Sequence, residues 1–156
     1  MSLFPFFVWC DQTAIGVAIR QSTWAFPIIE IFHIFGLTLL FGTVFAIDLR
    51  LLDRGLRQLP VSMLSRNLRP WMYGGLLLAL ATGILLFLSE ALKCYGNDGF
   101  RFKMACLFPA LLFHCIVFPR VTQNDDTRPV ARQVTAFVSM ILWLGVGIGG
   151  RAIGFV

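Results

Sequence analysis

From Pro27 to Leu52 the sequence reads PIIEIFHIFGLTLLFGTVFAIDLRLL. An apolar run of this length can cross a hydrocarbon layer that takes ~20 helical residues. Glu30 and His33 lie inside it. Ionisable groups are costly in hydrocarbon and commonly mark functional positions, so the run sets both the solvent of the fold and the question of what these residues do. The other histidine, His114, lies in a second apolar run.

Composition agrees with a membrane environment. The 156 residues are 58% hydrophobic, with a mean hydropathy of +0.80, which is the range of integral membrane proteins. The net charge of +5 comes from basic residues concentrated between apolar runs, without interleaved aromatics. Such arginines are topology signals, and no nucleic-acid partner is expected. The N-terminal stretch MSLFPFFVWCDQTAIGVAIRQSTW lacks the basic start, apolar core and cleavage site of a secretory signal and is expected to stay on the mature protein. Cys10, Cys94, Cys106 and Cys115 show no zinc spacing. A Cys10–Cys94 disulfide is one option if both face an oxidising compartment, and small buried hydrophobes are the other.

Along the chain, apolar and polar residues are interspersed over about 3–22, with Phe4, Phe6, Phe7, Trp9, Ile15 and Ile19 as the greasy set. This pattern predicts an amphipathic helix lying in the interface. Spans are predicted over about 26–47, 71–91, 102–119 and 134–150. The fold class is therefore all-α: an integral membrane four-helix bundle with an N-terminal interfacial amphipathic helix, residues 1–156 forming a single transmembrane domain. The connections after the first and third spans carry Arg50, Arg54, Arg57, Arg66, Arg69, Arg120, Arg128 and Arg132, against Arg20, Lys93, Arg101, Lys103 and Arg151 elsewhere. This asymmetry predicts a multi-pass protein of a bacterial inner membrane with both termini periplasmic.

In that topology the first and third spans run in the same direction. His33 falls about 13 Å beyond Trp24 and His114 about 20 Å beyond Arg101, which predicts imidazoles within about two helical turns of one depth. Gly36 and Ala110 leave space one turn from each. Imidazoles from different helices beside small residues suit axial ligation of a b-type haem, with Lys103, Arg101 and Arg151 as cations for its propionates. The same histidines could instead hold another metal or a proton, or bond a neighbouring helix. Glu30 is readable as a proton acceptor, an oxygen ligand or a partner of Lys103 or Arg151. Hydrolytic and nucleotide-binding motifs are absent from the sequence.

The elements STWAFPIIEIFHIFGLTLLFGTVFAIDLRLL, RPWMYGGLLLALATGILLFLSEA, FRFKMACLFPALLFH and LWLGVGIGGRAIGF together resemble an uncharacterised family of small bacterial four-span membrane proteins over almost the whole chain. More distantly, a first-span His followed by a third-span Lys and His is similar to the haem-binding membrane protoporphyrinogen oxidases and the copper-resistance D-type membrane proteins. In the former a first-span histidine and a third-span lysine are functional, and by position these fall on His33 and Lys103. Glu30 and the long arginine-rich loop depart from that pattern.

These readings imply a haem b protein with His33 and His114 on the iron. It would move electrons between a periplasmic redox partner and the quinone pool as a subunit of a larger membrane oxidoreductase, in contact with lipid and partner subunits. Alternatives are a non-redox accessory subunit and a copper transporter.

Overall fold

The computed structural model describes residues 3–56 and 58–155; Arg57, one of the loop arginines, lies outside them. Among these residues the chain is all helical: α1 (Phe4–Asp11), α2 (Ala14–Gln21), α3 (Ala25–Leu51), α4 (Val61–Ser89), α5 (Ala91–Tyr95), α6 (Asp98–Ile116), α7 (Phe118–Thr122) and α8 (Pro129–Ala152). The long helices α3, α4, α6 and α8 are each apolar enough to cross a membrane. Their most hydrophobic windows bury only 11% to 39% of their residues inside the protein, so most of the apolar surface, including Ile31, Phe35, Leu77, Ile84, Phe108, Leu112, Ile141 and Ile148, points outward. An outward belt of this kind requires lipid as its solvent. The chain is a multi-pass membrane protein.

The spans form close-packed antiparallel pairs. In the α3/α4 pair the backbones meet at glycine: a Cβ on Gly36 would lie 2.8 Å from Ala79 N, and one on Gly75 would lie 2.8 Å from Leu40 N. In the α6/α8 pair a Cβ on Gly149 would lie 2.9 Å from Lys103 Cα, and one on Gly145 would lie 2.7 Å from Cys106 Sγ. Small residues permit this approach, which is how helices gain dispersion energy where lipid removes the hydrophobic driving force. The pairs join through α3 and α8, where Phe41 meets Trp143 edge to face at 5.9 Å. Gly36 is therefore filled by α4 rather than left open, and Ala110 is fully buried in the core.

The ends depart from the sequence reading for local reasons. The N-terminal segment is a pair of helices instead of one, because Thr13 caps α2 by accepting from Gly16 N at 3.2 Å and so breaks the run. α1 and α5 cover the end of the bundle where α3 begins and α4 ends, and there Phe7 meets Phe87, Tyr95 and Phe100, and Phe87 stacks on Phe100 at 5.5 Å. Arg20 ties α2 down by pairing with Asp11 at 2.9 Å and donating to Ser89 O at 2.7 Å. α4 begins ten residues before the expected Trp71, because Pro60 ends the loop and Pro70 is absorbed within the helix. Pro109 is likewise absorbed in α6; a freed carbonyl is tolerated where neighbouring groups can satisfy it. The third span ends at Ile116, and α7 restarts with Pro119 in its first turn. All four cysteines are free thiols, so the Cys10–Cys94 disulfide is not formed.

Candidate functional site

His33 is half-buried on α3 with its ring against Gly83 of α4, where a Cβ would lie 3.1 Å from His33 Cε1. Its Nδ1 is 3.0 Å from Thr82 Oγ1. The Thr82 hydroxyl donates its own proton to Leu78 O at 2.6 Å. With its proton on Leu78 O, Thr82 accepts from His33, and in this arrangement Nδ1 carries hydrogen and Nε2 keeps its lone pair. This is the tautomer in which a second residue orients an imidazole for a metal or a proton.

Lys103, in the first turns of α6, lies half-buried along α8 with its Nζ 3.8 Å from where a Cβ on Gly150 would stand. It makes no ion pair or hydrogen bond among the described residues. Its ammonium is within electrostatic range of His33 and of Cys94. Burial, and next the Glu90 carboxylate, push the Cys94 thiol up, while Lys103 and Lys93 act the other way. A cation without a partner near an imidazole lone pair can receive an anionic group, because an unpaired charge gains most from a new partner where water is scarce.

The remaining predicted site residues do not join this pair. Glu30 is exposed one turn before His33 and pairs with neither Lys103 nor Arg151. Arg101 is exposed and held by Asp98 at 3.3 Å and by Tyr95 O at 3.4 Å. Arg151 stacks over Phe155 at 4.6 Å, at the end of an apolar groove of about 530 Å³ lined by Phe41, Trp143, Leu144, Gly147 and Ile148.

His114 is fully buried and has the opposite tautomer to His33. Trp143 Nε1, which can only donate, is 3.1 Å from His114 Nδ1. Nδ1 therefore accepts, and the proton sits on Nε2, which is buried without a partner. The ring stacks on Phe118 at 4.1 Å. α3 and α6 share no extensive contact. His114 is bonded to Trp143, which meets Phe41, eight residues beyond His33 and thus about 12 Å deeper at 1.5 Å per residue. In this arrangement His114 offers an N–H where iron would need a lone pair.

Asp48, one residue beyond the predicted end of the first span, is fully buried, and its Oδ2 accepts from Ser139 Oγ at 2.8 Å. A signal was present: Leu40, Val44 and Asp48 recur every four residues along the face that packs inward. Ser139 and Trp143 were missed because a serine and a tryptophan in an apolar span carry no chemistry until a partner is seen.

A family model described as a family of unknown function, DUF6644, matches residues 6–156. The chain belongs to the DUF6644 family. No curated protein and no solved structure matches it. For this DUF6644 protein, His33, Thr82, Gly83 and Lys103 therefore have to be read from their geometry. Among the described residues no cluster of three or more His, Cys, Asp or Glu is placed to hold a metal ion.

Proposed function

We propose that this DUF6644 protein is a haem b-binding electron-transfer subunit of a membrane oxidoreductase, with His33 as the residue of this chain that would hold the iron. The observation that carries the reading is the contact of His33 Nδ1 with Thr82 Oγ1 at 3.0 Å, which, with the Thr82 proton on Leu78 O, puts hydrogen on Nδ1 and the lone pair on Nε2. The donor set fits the group on that side. His33 supplies the lone pair, Gly83 gives the ring room to lie close to α4, and Lys103 is a cation with no counter-ion among the described residues, open to a carboxylate such as a propionate. A bis-histidine arrangement with His114 does not fit, because His114 Nε2 carries a proton and the ring is committed to Trp143 and Phe118.

When bound, haem supplies one-electron chemistry. The chain's own part is to hold the His33 ring in one orientation, to keep the Lys103 charge within reach, and to exclude water at the outer end through the Phe7, Phe87 and Phe100 cluster. The outward apolar surface suits exchange with a quinone in the lipid phase, and a larger complex would provide the periplasmic redox partner. The arginine asymmetry supports a bacterial inner-membrane location with both termini periplasmic.

The optical spectrum of protein purified after expression with ample haem tests this. A reducible Soret and α-band is expected, lost in His33→Ala and retained in His114→Ala. No haem bands in the folded wild-type protein, or bands unchanged in His33→Ala, would overturn it. The His33–Thr82 bond is also what a non-redox accessory subunit would use to staple α3 to α4. That reading takes over if the protein is folded and colourless.

A further inference from the structure

Among the described residues, the buried side-chain polar atoms that lack a hydrogen-bond partner are Asp48 Oδ1, His114 Nε2 and Arg132 Nε. They are not scattered. Arg132 is itself on α8, Asp48 is bonded to Ser139 of α8, and His114 is bonded to Trp143 of α8. Positions 132, 139 and 143 are spaced seven and four apart, which puts them on one face of a helix. At 1.5 Å per residue the line runs about 16 Å, from the arginine-rich end of the bundle to its middle.

Asp48 is the titratable centre of this line. It is fully buried inside a membrane span, and its carboxyl receives one hydrogen bond, from Ser139. No cation pairs with it among the described residues. On α3, Arg50 is tied to Leu59 O at 2.6 Å and to Asp53 at 2.6 Å. On α8, Arg132 lies two turns nearer the surface and donates to Asp125 O. On α4, Ser65 is bonded to Thr122 of α7 at 3.1 Å, and Arg66 and Arg69 are exposed. α6 contributes only the neutral His114, and Arg120 of α7 is exposed. An ionised carboxylate with a single hydroxyl donor and no counter-ion is too costly in such a site, so the group keeps its proton.

We propose that Asp48 is a proton-binding site reached from the arginine-rich end along this face of α8. A short file of internal water would connect Arg132, Asp48 and His114. The unpaired atoms are the polar partners such waters need, since a buried water is held by two to four of them. When Asp48 releases its proton to that file, the carboxylate forms beside Ser139, one turn of α8 from the Trp143 that holds His114, whose buried Nε2–H has no acceptor among the described residues. The site takes up and releases one proton and requires no redox cofactor, so it stands independently of the haem reading.

Infrared difference spectroscopy of the purified protein tests this. The wild type should show the C=O stretch of an un-ionised carboxylic acid at neutral pH, and Asp48→Asn should abolish it. Asparagine keeps an acceptor for Ser139, so this variant should fold, and its thermal unfolding in detergent checks that. Transfer to D₂O should shift the band within minutes in intact protein, as deuterium enters along the water file. Ser139→Ala should move the band frequency without removing it. A folded wild type with no Asp48-dependent acid band would overturn the proposal, because Asp48 would then be ionised. A band that stays unshifted in D₂O for hours would overturn it too, because Asp48 would then be a sealed structural acid.

Discussion

Trp143 donates its indole N–H to His114 Nδ1 at 3.1 Å, joining α8 to α6 in the middle of the bundle. Because an indole never accepts, this single bond fixes which imidazole nitrogen carries the proton. Trp143→Phe keeps most of the ring volume but leaves Nδ1 buried and unpaired. A loss of about 1–3 kcal/mol of stability is expected, read as a lower midpoint in detergent unfolding. The ¹⁵N shifts of His114 should report a change of tautomer. No change in either would show that the indole bond fixes nothing.

The contrast between Gly75 and Gly42 gives a packing prediction. A Cβ at Gly75 would meet Leu40 N at 2.8 Å, whereas nothing lies within 4 Å of one at Gly42. Gly75→Ala should destabilise the α3/α4 pair by about 1–3 kcal/mol, as overpacking does. Gly42→Ala should be neutral or slightly stabilising, since alanine is the better helix former. Thermal unfolding of both variants decides; equal behaviour would mean that the close backbone approach does not carry stability.

Thr82 bears on His33 through orientation alone. Thr82→Val preserves shape and removes the oxygen that holds Nδ1–H, so the proton is free to move to Nε2. On the haem reading, affinity should fall by about 10- to 100-fold, the usual effect of losing a group that orients a ligating histidine. Haem titration followed at the Soret band measures it. Thr82→Ser, which restores the hydroxyl, should recover most of the affinity.

At the opposite end, Asp125 accepts from both the backbone N–H and the hydroxyl of Ser62, in the first turn of α4. These bonds, the hydroxyl first, hold the Asp125 carboxyl below its ordinary range, with smaller help from Arg132 and Arg50. A depressed folded-state value means the clasp contributes above the ordinary carboxylate range and is lost as pH falls through the folded value. Asp125 is exposed, so solvent screens the contribution and it is local. Protection of the Ser62 amide, taken relative to its intrinsic exchange rate at each pH, should fall on acidification below that point. In Ser62→Ala, carboxyl NMR should find the Asp125 titration moved up towards the ordinary range. An unchanged midpoint would show that Ser62 is not the cause.

How much of this was legible beforehand depended on the range of the signal. Spans are long and apolar, so their number and approximate positions follow from hydropathy alone. Their ends do not: Val61–Arg69 is polar on one side, yet it continues α4 beyond the apolar core, with Pro70 inside the helix. His33 and Lys103 stood out as ionisable residues in apolar sequence, and the structure brings them within electrostatic range of each other. The role of His114 was illegible because its partner is 29 residues away and is a tryptophan, which hydropathy counts simply as apolar. Asp48 stands next to the polar residues Arg50, Asp53 and Arg54, and hydropathy does not separate it from them; only the helical face does.

The order in which the spans pair bears on how the protein is made. α3 and α4 are consecutive spans, as are α6 and α8, and the glycine contacts lie within each pair. The ribosome therefore completes a close-packed hairpin before the next one exists, and each can leave the insertion machinery as a finished unit. The later event is the meeting of the two hairpins, where Asp48 finds Ser139, Phe41 finds Trp143, and Ser65 of α4 finds Thr122 of α7. A chain severed between Ser89 and Asp98 would leave both hairpins whole, and its halves, made as separate polypeptides, would still carry the complementary surfaces needed to find each other in the bilayer.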